Sequence, residues 1–296
     1  MKRNIVAAHE LMARSRAERF AVGAFNVDNQ ETLLAIVRAA QAKNAPVLVE
    51  LSHSEAQVIG LANTRSLVDN YRREFGIEMY VNPDHSPSVE AAKAGIDAGF
   101  EFVRIDYSQA KKDATDAEII AATRAVVEYA GQTTQALIES EPHYFAGSSN
   151  VHKEPIDYEK IRATFSTPEG AHAFVEATGI DTFAAAIGNL HGRYPVARHR
   201  VARADQGGGR REHQPSRRQR DAGPLLQGGG SRGRQQDQSQ FRPAVRVPHH
   251  PGAPARRNPD EYAIVRLIGP VIDAVQKVVE EHIDLFGSTG KARAGS

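Results

Sequence analysis

EMYVNPDHSPSVEAAKAGIDAGFEFVRID, residues 78–106, is the stretch that decides the fold of this chain. Its two ends, residues 78–84 and 102–106, are short runs of the kind that form buried strands. Between them, residues 89–98 have the apolar spacing of a helix. A strand, a helix and a second strand within about thirty residues indicate a parallel βα unit.

The same unit recurs along the chain, so that six strands are predicted in all. The other four predicted strands are residues 23–27, 46–52, 134–139 and 182–188. A helix is predicted over residues 31–43, and a final helix has an apolar stripe at Val271, Ile272, Val275, Val278 and Val279. This alternation predicts an α/β fold, a (β/α)₈ TIM barrel whose strands 7 and 8 are lost or scrambled in the sequence as written.

Length and composition narrow the class of protein. The 296 residues suit a single barrel domain, residues 1–296, because such barrels take about 250 residues. The chain has no cysteine, so a transition metal must bind histidine, aspartate or glutamate. No apolar run reaches the roughly 20 residues of a membrane span, and the first residues have no apolar signal core. We therefore expect a soluble, cytoplasmic protein without a membrane partner.

Residues 197–257 differ in composition from the rest of the chain. Between Arg198 and Arg257 there are 14 arginines, no lysine and 4 acidic residues, a net charge of +10, whereas the rest of the chain has a net charge of −9. Isoleucine is absent from this segment, and Gly, Gln, Pro and Arg dominate without a period. Two different compositions are joined here, where the missing strands should lie.

Polar side chains stand where the predicted strands end, which is the face at which barrel enzymes place their chemistry. These residues are Asp84, His85, Asp106, Glu139, Glu141 and His191. Two histidines and several carboxylates on one rim predict a zinc site, since these are ligands that Zn²⁺ takes. Taken singly, each histidine could be a packing residue, and Asp84 and Asp106 could cap the helices that follow them.

Six motifs resemble those of the zinc-dependent class II fructose- and tagatose-bisphosphate aldolases. They are GAFNV at 23–27, PDH at 83–85, IDYS at 105–108, IESE at 138–141, AIGNLHGRYP at 186–195 and FGSTGKA at 286–292. The resemblance covers residues 14–196 and 258–292, and its specific part is PDH followed by AIGNLHG. It implies reversible aldol cleavage of fructose 1,6-bisphosphate, or of tagatose bisphosphate, in a dimer or tetramer.

The resemblance also implies roles for single residues. His85 and His191 match two of the three zinc histidines of the family, and Asp84 matches its catalytic acid/base. Asp106 and Glu141 match a secondary metal or second-shell position, so that Zn²⁺ could occupy two sites. Glu139 is the alternative to Glu141 in the E-x-E spacing, and the residues that resemble substrate-binding positions are Asn26, Ser52 and Gly192.

The chain departs from the family pattern after the sixth strand. The family expects a seventh strand ending in His-Gly-Gly-Ser-Gly, which carries the third zinc histidine, and an eighth ending in an Asn-containing segment. Neither is present. Reading the codons of residues 212–227 one nucleotide later permits Asn-Ile-Ser-Leu-His-Gly-Gly-Ser-Gly-Thr-Pro-Gly-His-Tyr-Phe, which contains the missing motif. We therefore hypothesise two frame errors, near Val196 and near Arg257.

Two other interpretations apply if the sequence is correct as written. A barrel without two strands and one zinc ligand would be an inactive remnant with exposed strand edges. Alternatively, the arginine-rich segment could bind nucleic-acid phosphates by charge. Phe241 is its sole aromatic residue for base stacking, and the shifted frame already explains the basicity, so no nucleic-acid partner is expected.

Resequencing the gene from about codon 190 to about codon 262 tests the frame hypothesis. We expect the shifted reading to recover the His-Gly-Gly-Ser-Gly codons. An unshifted open frame through the same codons would show that the segment is genuine.

Overall fold

A computed structural model describes residues 2–141, 165–187 and 262–293 of the chain. These residues belong almost entirely to one compact unit, formed by residues 1–144, 166–186 and 235–296. A second unit comprises residues 145–165 and 187–234, nearly all of which lie outside the described ranges. The positions predicted for strands 7 and 8, with His191 and Gly192, also lie outside them.

The described elements alternate between helices and short strands. In chain order they are α1 (Lys2–Glu18), β1 (Gly23–Asn26), α2 (Gln30–Lys43), β2 (Val47–Ser52), α3 (His53–Ile59), α4 (Leu61–Phe75), β3 (Met79–Asp84), α5 (Val89–Asp97), β4 (Phe102–Ile105), α6 (Tyr107–Ala110), α7 (Asp116–Gln132), β5 (Leu137–Ser140), α8 (Pro168–Thr178), β6 (Thr182–Phe183) and α9 (Ile264–Leu285). No described helix is long and apolar enough to cross a membrane.

The strands are parallel, and each lies beside the next one in the chain. Strands β1, β2 and β3 form one ladder, and β4, β5 and β6 form another. An isolated parallel bridge between Ser86 and Ile105 connects β3 to β4. This order is that of a (β/α) barrel. In the described ranges neither β1 nor β6 pairs with a further strand, so closure of the barrel is not observed there.

Side-chain capping explains where several helices begin. Asn29 and Thr115 form capping boxes at the first turns of α2 and α7, and Ser88 accepts a hydrogen bond from the Ala91 amide at the start of α5. Gly95 of α5 lets this helix approach β3 closely, because a Cβ there would lie 2.9 Å from the Pro83 ring.

The outward faces of the strands pack against the helices. Fully or almost fully buried residues on this side include Val47, Val49, Met79, Val81, Val103, Ile105 and Ile138. Helix α9 packs along α2, and its buried residues are Ile272, Val275, Val279 and Ile283. The predicted stripe is confirmed for three of its five positions, whereas Val271 and Val278 are only partly buried.

The inward faces form a second cluster at the amino-terminal ends of the strands. Helix α1 closes this end of the arc with Ala8, Leu11 and Met12. The strand residues that they cover are Ala24, Leu48, Tyr80, Phe102 and Leu137. The interior is therefore apolar at this end, as is usual in such barrels.

The carboxyl-terminal residues are held by hydrogen bonds beneath the same end. The Gly290 amide donates to the Lys43 carbonyl at 2.9 Å, and the Ala292 amide donates to the Asn44 carbonyl at 2.9 Å. Buried Glu78 accepts from Arg14 at 2.8 Å and from the Arg293 amide at 2.9 Å. The FGSTGKA motif thus has a structural role at this end.

Two predicted strands differ from the observed ones by more than one residue. Strand β5 begins at Leu137 rather than residue 134, because Gln135 has φ 64° in the turn that follows α7. Strand β6 contains only Thr182 and Phe183, whereas residues 182–188 were predicted. The short β6 has only β5 as a described neighbour, and a ladder needs a partner strand to extend.

The substitution Leu11→Ala tests whether α1 covers the amino-terminal end of the strand interior. Leu11 is fully buried, so we expect the free energy of unfolding to fall by about 2–5 kcal/mol in urea titrations. Leu285→Ala is the matched control, since Leu285 is 71% exposed and should change the same free energy by less than about 0.5 kcal/mol. Equal losses in the two variants would contradict this packing.

Candidate metal centre and acid/base site

A polar layer lies above the apolar end of the strand interior. Register places Asn26, Glu50 and Asn82 side by side on β1, β2 and β3, and it places Arg104 beside Glu139 on β4 and β5. All except Asn26 are at most 3% exposed. Barrel interiors are mostly filled by branched apolar side chains, so these buried polar residues indicate a functional site.

His85, Asp106 and Glu141 converge at the carboxyl ends of β3, β4 and β5. One potential ligand atom from each residue lies within 4.8 Å of the others. The His85 Nδ1 and the Asp106 Oδ2 are 2.7 Å apart, at hydrogen-bond distance. These three residues, which we call the rim cluster, are the group able to hold a metal ion among the described residues.

The backbone holds His85 in an unusual conformation. Its φ is +54°, in the left-handed region that non-glycine residues seldom adopt. The next residue, Ser86, exchanges backbone hydrogen bonds with β4: its amide donates to the Arg104 carbonyl at 2.9 Å, and its carbonyl accepts from the Asp106 amide at 3.0 Å. The chain thus turns away from β3 and carries His85 to Asp106. Such strain is commonly found at functional sites.

Asp84 lies beside the rim cluster. Its Oδ1 is 3.4 Å from the His85 Nε2, and its Oδ2 accepts a hydrogen bond from the Asn26 Nδ2 at 3.1 Å. Asp84 is 2% exposed. It does not cap α5, because Ser88 does so. The alternative of a simple helix cap therefore does not describe Asp84.

Asp106 has two roles at once. Its Oδ1 accepts hydrogen bonds from the Gln109 amide at 3.0 Å and from the Ser108 hydroxyl at 2.9 Å, so it does cap α6. Its Oδ2 faces His85. The capping and the functional interpretations are thus compatible for this residue.

Arg104 is a site residue that the sequence analysis did not predict. Its Nη2 donates to Glu141 Oε2 at 2.7 Å, and its Nη1 lies 3.5 Å from Glu139 Oε1 and 3.8 Å from Asp84 Oδ1. A charged residue between Val103 and Ile105 was the available signal, since alternate strand residues face inward. Glu50 and Asn82 were missed too, and the Asn82 amide donates to Glu50 at 3.0 Å.

Burial sets the protonation of the interior carboxyl groups. It raises the pKa of Glu139 to about 7 and that of Glu141 to about 8, while Arg104 opposes both shifts. Burial, with the charges of Asp84 and Glu139, raises the pKa of Glu50 well above its ordinary value. For Asp106, burial is outweighed by the hydrogen bond and charge of His85, which lower its pKa.

The structure describes some of the remaining predicted site residues and not others. Asn26 contacts Asp84, as described above. Ser52 caps α3, where its hydroxyl accepts from the Glu55 amide at 3.3 Å. Glu141 rather than Glu139 lies in the rim cluster, and Glu139 lies in the polar layer below. His191 and Gly192 lie outside the described residues.

Known proteins resemble this chain over most of its length. Residues 6–206 match the family model described as fructose-bisphosphate aldolase class-II. A fructose-bisphosphate aldolase of Thermus caldophilus is 29% identical over 97% of this chain and 100% of the relative. One from Staphylococcus aureus is 32% identical over 64% of each chain.

Solved structures share the fold. The YdjI aldolase from Escherichia coli K12 has a TM-score of 0.65 and 20% identity, covering 96% of this chain and 98% of that one. A putative fructose-1,6-biphosphate aldolase from Coccidioides immitis has a TM-score of 0.62 and 20% identity, covering 95% of each. With the α/β order of the strands and a family match over two thirds of the residues, these findings identify the chain as a member of the class II fructose-bisphosphate aldolase family.

Proposed function

We propose that this chain is a zinc-dependent aldolase that reversibly cleaves fructose 1,6-bisphosphate to dihydroxyacetone phosphate and glyceraldehyde 3-phosphate. The observation that carries the proposal is the rim cluster with Asp84 beside it, at the carboxyl ends of consecutive parallel strands. Barrel enzymes place their chemistry at this face. Tagatose bisphosphate is the alternative substrate, because it differs from fructose bisphosphate at one stereocentre.

The rim cluster has a donor set that fits zinc. The imidazole of His85 and the carboxylate of Glu141 are nitrogen and oxygen ligands of the kind found in catalytic zinc sites, which keep an open position. His85 and Glu141 would hold the ion, and Asp106 would orient His85 through its Nδ1. His191 is proposed as a further ligand from its motif alone. When bound, zinc would act as a Lewis acid on the substrate carbonyl.

The residues of the chain supply the proton transfer and the positioning. Asp84 would accept or return the proton at the hydroxyl oxygen next to the bond that breaks, as a general acid/base. Asn26 would fix the Asp84 carboxylate by donating to its Oδ2. Ser52 at the end of β2 and Gly192 are proposed substrate contacts.

The frame hypothesis remains part of this proposal. The family match ends at residue 206, inside the anomalous segment 197–257, which supports a change of reading frame there. A restored frame would supply the third zinc histidine and strands 7 and 8 of a single barrel domain. Without them we expect no cleavage. Assembly as a dimer or tetramer stays a prediction.

Asp84→Asn tests the acid/base role on the protein encoded by the resequenced gene. We expect kcat for fructose bisphosphate cleavage to fall by about 10²–10⁴-fold, because the amide cannot exchange the proton. Asp113→Asn is the control, since Asp113 is an exposed aspartate. Chelation should abolish cleavage and zinc should restore it. Chelator-resistant cleavage, or equal rates in Asp84→Asn and the parent, would contradict the proposal.

The raised pKa values predict how metal removal changes stability. Glu139 and Glu141 titrate near pH 7 and 8 in the folded protein but near 4.5 when unfolded, so the metal-free protein binds more protons when folded. Its free energy of unfolding should therefore fall as pH rises from about 5 to 8, by roughly 3 kcal/mol for Glu139.

Denaturation titrations at several pH values measure this fall. Glu139→Gln should remove its own share of the fall, roughly 3 kcal/mol, and leave that of Glu141. Glu74→Gln, which changes an exposed glutamate, should leave the whole fall in place. Added zinc should oppose the fall, since metal binding favours deprotonated ligands. A profile that rises over this pH range in the metal-free protein would contradict the assigned pKa directions.

A further inference from the structure

The guanidinium of Arg104 lies inside the arc of strands, between the polar layer and the rim cluster. Its side chain is 4% exposed. The Nη2 bonds to Glu141 above, and the Nη1 lies within 4 Å of both Glu139 and Asp84. One cation thus contacts the rim cluster, the proposed acid/base and the layer beneath them.

Acidic groups surround this cation. Within the described ranges, five carboxyl groups face the strand interior, those of Glu50, Asp84, Asp106, Glu139 and Glu141, and all are buried or nearly so. Among the described residues, Arg104 is the arginine or lysine that forms ion pairs with any of them. Buried carboxylates without a counter-charge are strongly unfavourable, so Arg104 compensates this group.

The surroundings of Arg104 resemble the lining of a cation site. Its Nη1 and Nε are buried and have no hydrogen-bond partner in the described part of the chain. The same holds for Oδ1 of Asn82, which is fully buried beside Glu50. Carboxylates and an amide oxygen are ligands that hard divalent cations take. Among the described residues, the guanidinium is therefore hydrogen-bonded through its Nη2 to Glu141 but not through its Nη1 or Nε.

We propose that Arg104 is a built-in counter-cation that limits this site to one divalent cation, held at the rim cluster, by occupying the space between Asp84 and Glu139. The inference rests on the metal site of the proposed function. Arg104 is a positioning residue, because it acts through the carboxylates it contacts. A guanidinium keeps its charge in proteins, so this compensation cannot be lost by deprotonation.

Mn²⁺ binding to the full chain tests the proposal. Mn²⁺ takes carboxylate and amide oxygens, and equilibrium dialysis with elemental analysis counts the ions per chain. Arg104→Met, which removes the charge, should bind about one Mn²⁺ more than the parent, since the oxygen ligands are then available to a hard cation. Arg104→Lys keeps a charge and should bind the same number as the parent. Arg104→Met/Glu139→Gln should lose the additional ion.

The outcome that overturns the proposal is equal Mn²⁺ binding by Arg104→Met and the parent, or a gain that persists after Glu139→Gln. His85→Ala in each background separates this inference from the proposed function. If His85→Ala binds as much Mn²⁺ as the parent, the rim site of the proposed function fails. The change in bound Mn²⁺ caused by Arg104→Met still tests whether a cation can bind between Asp84 and Glu139.

Thermal unfolding covers the case in which Arg104→Met folds poorly. The double variant Arg104→Met/Glu139→Gln removes one charge of each sign, so its Tm should lie closer to that of the parent. Arg104→Met/Glu128→Gln is the matched control, because Glu128 is 62% exposed and should restore nothing. If Glu139→Gln gives no more recovery than Glu128→Gln, Arg104 is not the counter-cation of Glu139.

Discussion

Parallel pairing in register is the constraint on which this structure depends. Because side chains alternate across a strand, the register that joins Leu48 to Tyr80 also joins Glu50 to Asn82 and Ser52 to Asp84. The inward-facing residues at each register position therefore form a layer in the interior. These layers are apolar at the end covered by α1 and acidic at the rim. A shift by one residue would exchange these faces and place the carboxylates against the outer helices.

The turn after β3 brings the residues of neighbouring strands together at the site. His85 takes a left-handed conformation, and Ser86 pairs with the backbone on either side of Ile105, so the histidine reaches Asp106 although it belongs to another strand. Asp106 is fixed from its other oxygen by the first turn of α6. The imidazole and its acceptor are therefore preorganised by backbone contacts, which is the usual way to hold a metal ligand in one orientation.

The polar interior has an electrostatic cost that Arg104 offsets. Burial raises the pKa of Glu139 and Glu141 towards or above neutrality, and the guanidinium holds both values down. The carboxylates in turn raise the pKa of Arg104, although burial acts against this. Carboxyl groups whose pKa values lie near neutral pH can lose their protons when a dication binds. This property suits a metal site better than a purely structural core.

The sequence by itself determined the parallel α/β order, the strand-end residues Asp84, His85 and Asp106 with the pair Glu139 and Glu141, and the change of composition after residue 196. Strand alternation and polar residues at strand ends are local patterns, so they can be read without coordinates. Only the tertiary structure decided that Glu141 rather than Glu139 joins the rim cluster, and that Asp106 caps a helix while facing His85. Only it placed Arg104 among three carboxylates, because ion pairs across separate strands depend on register and on the path of the turns between them.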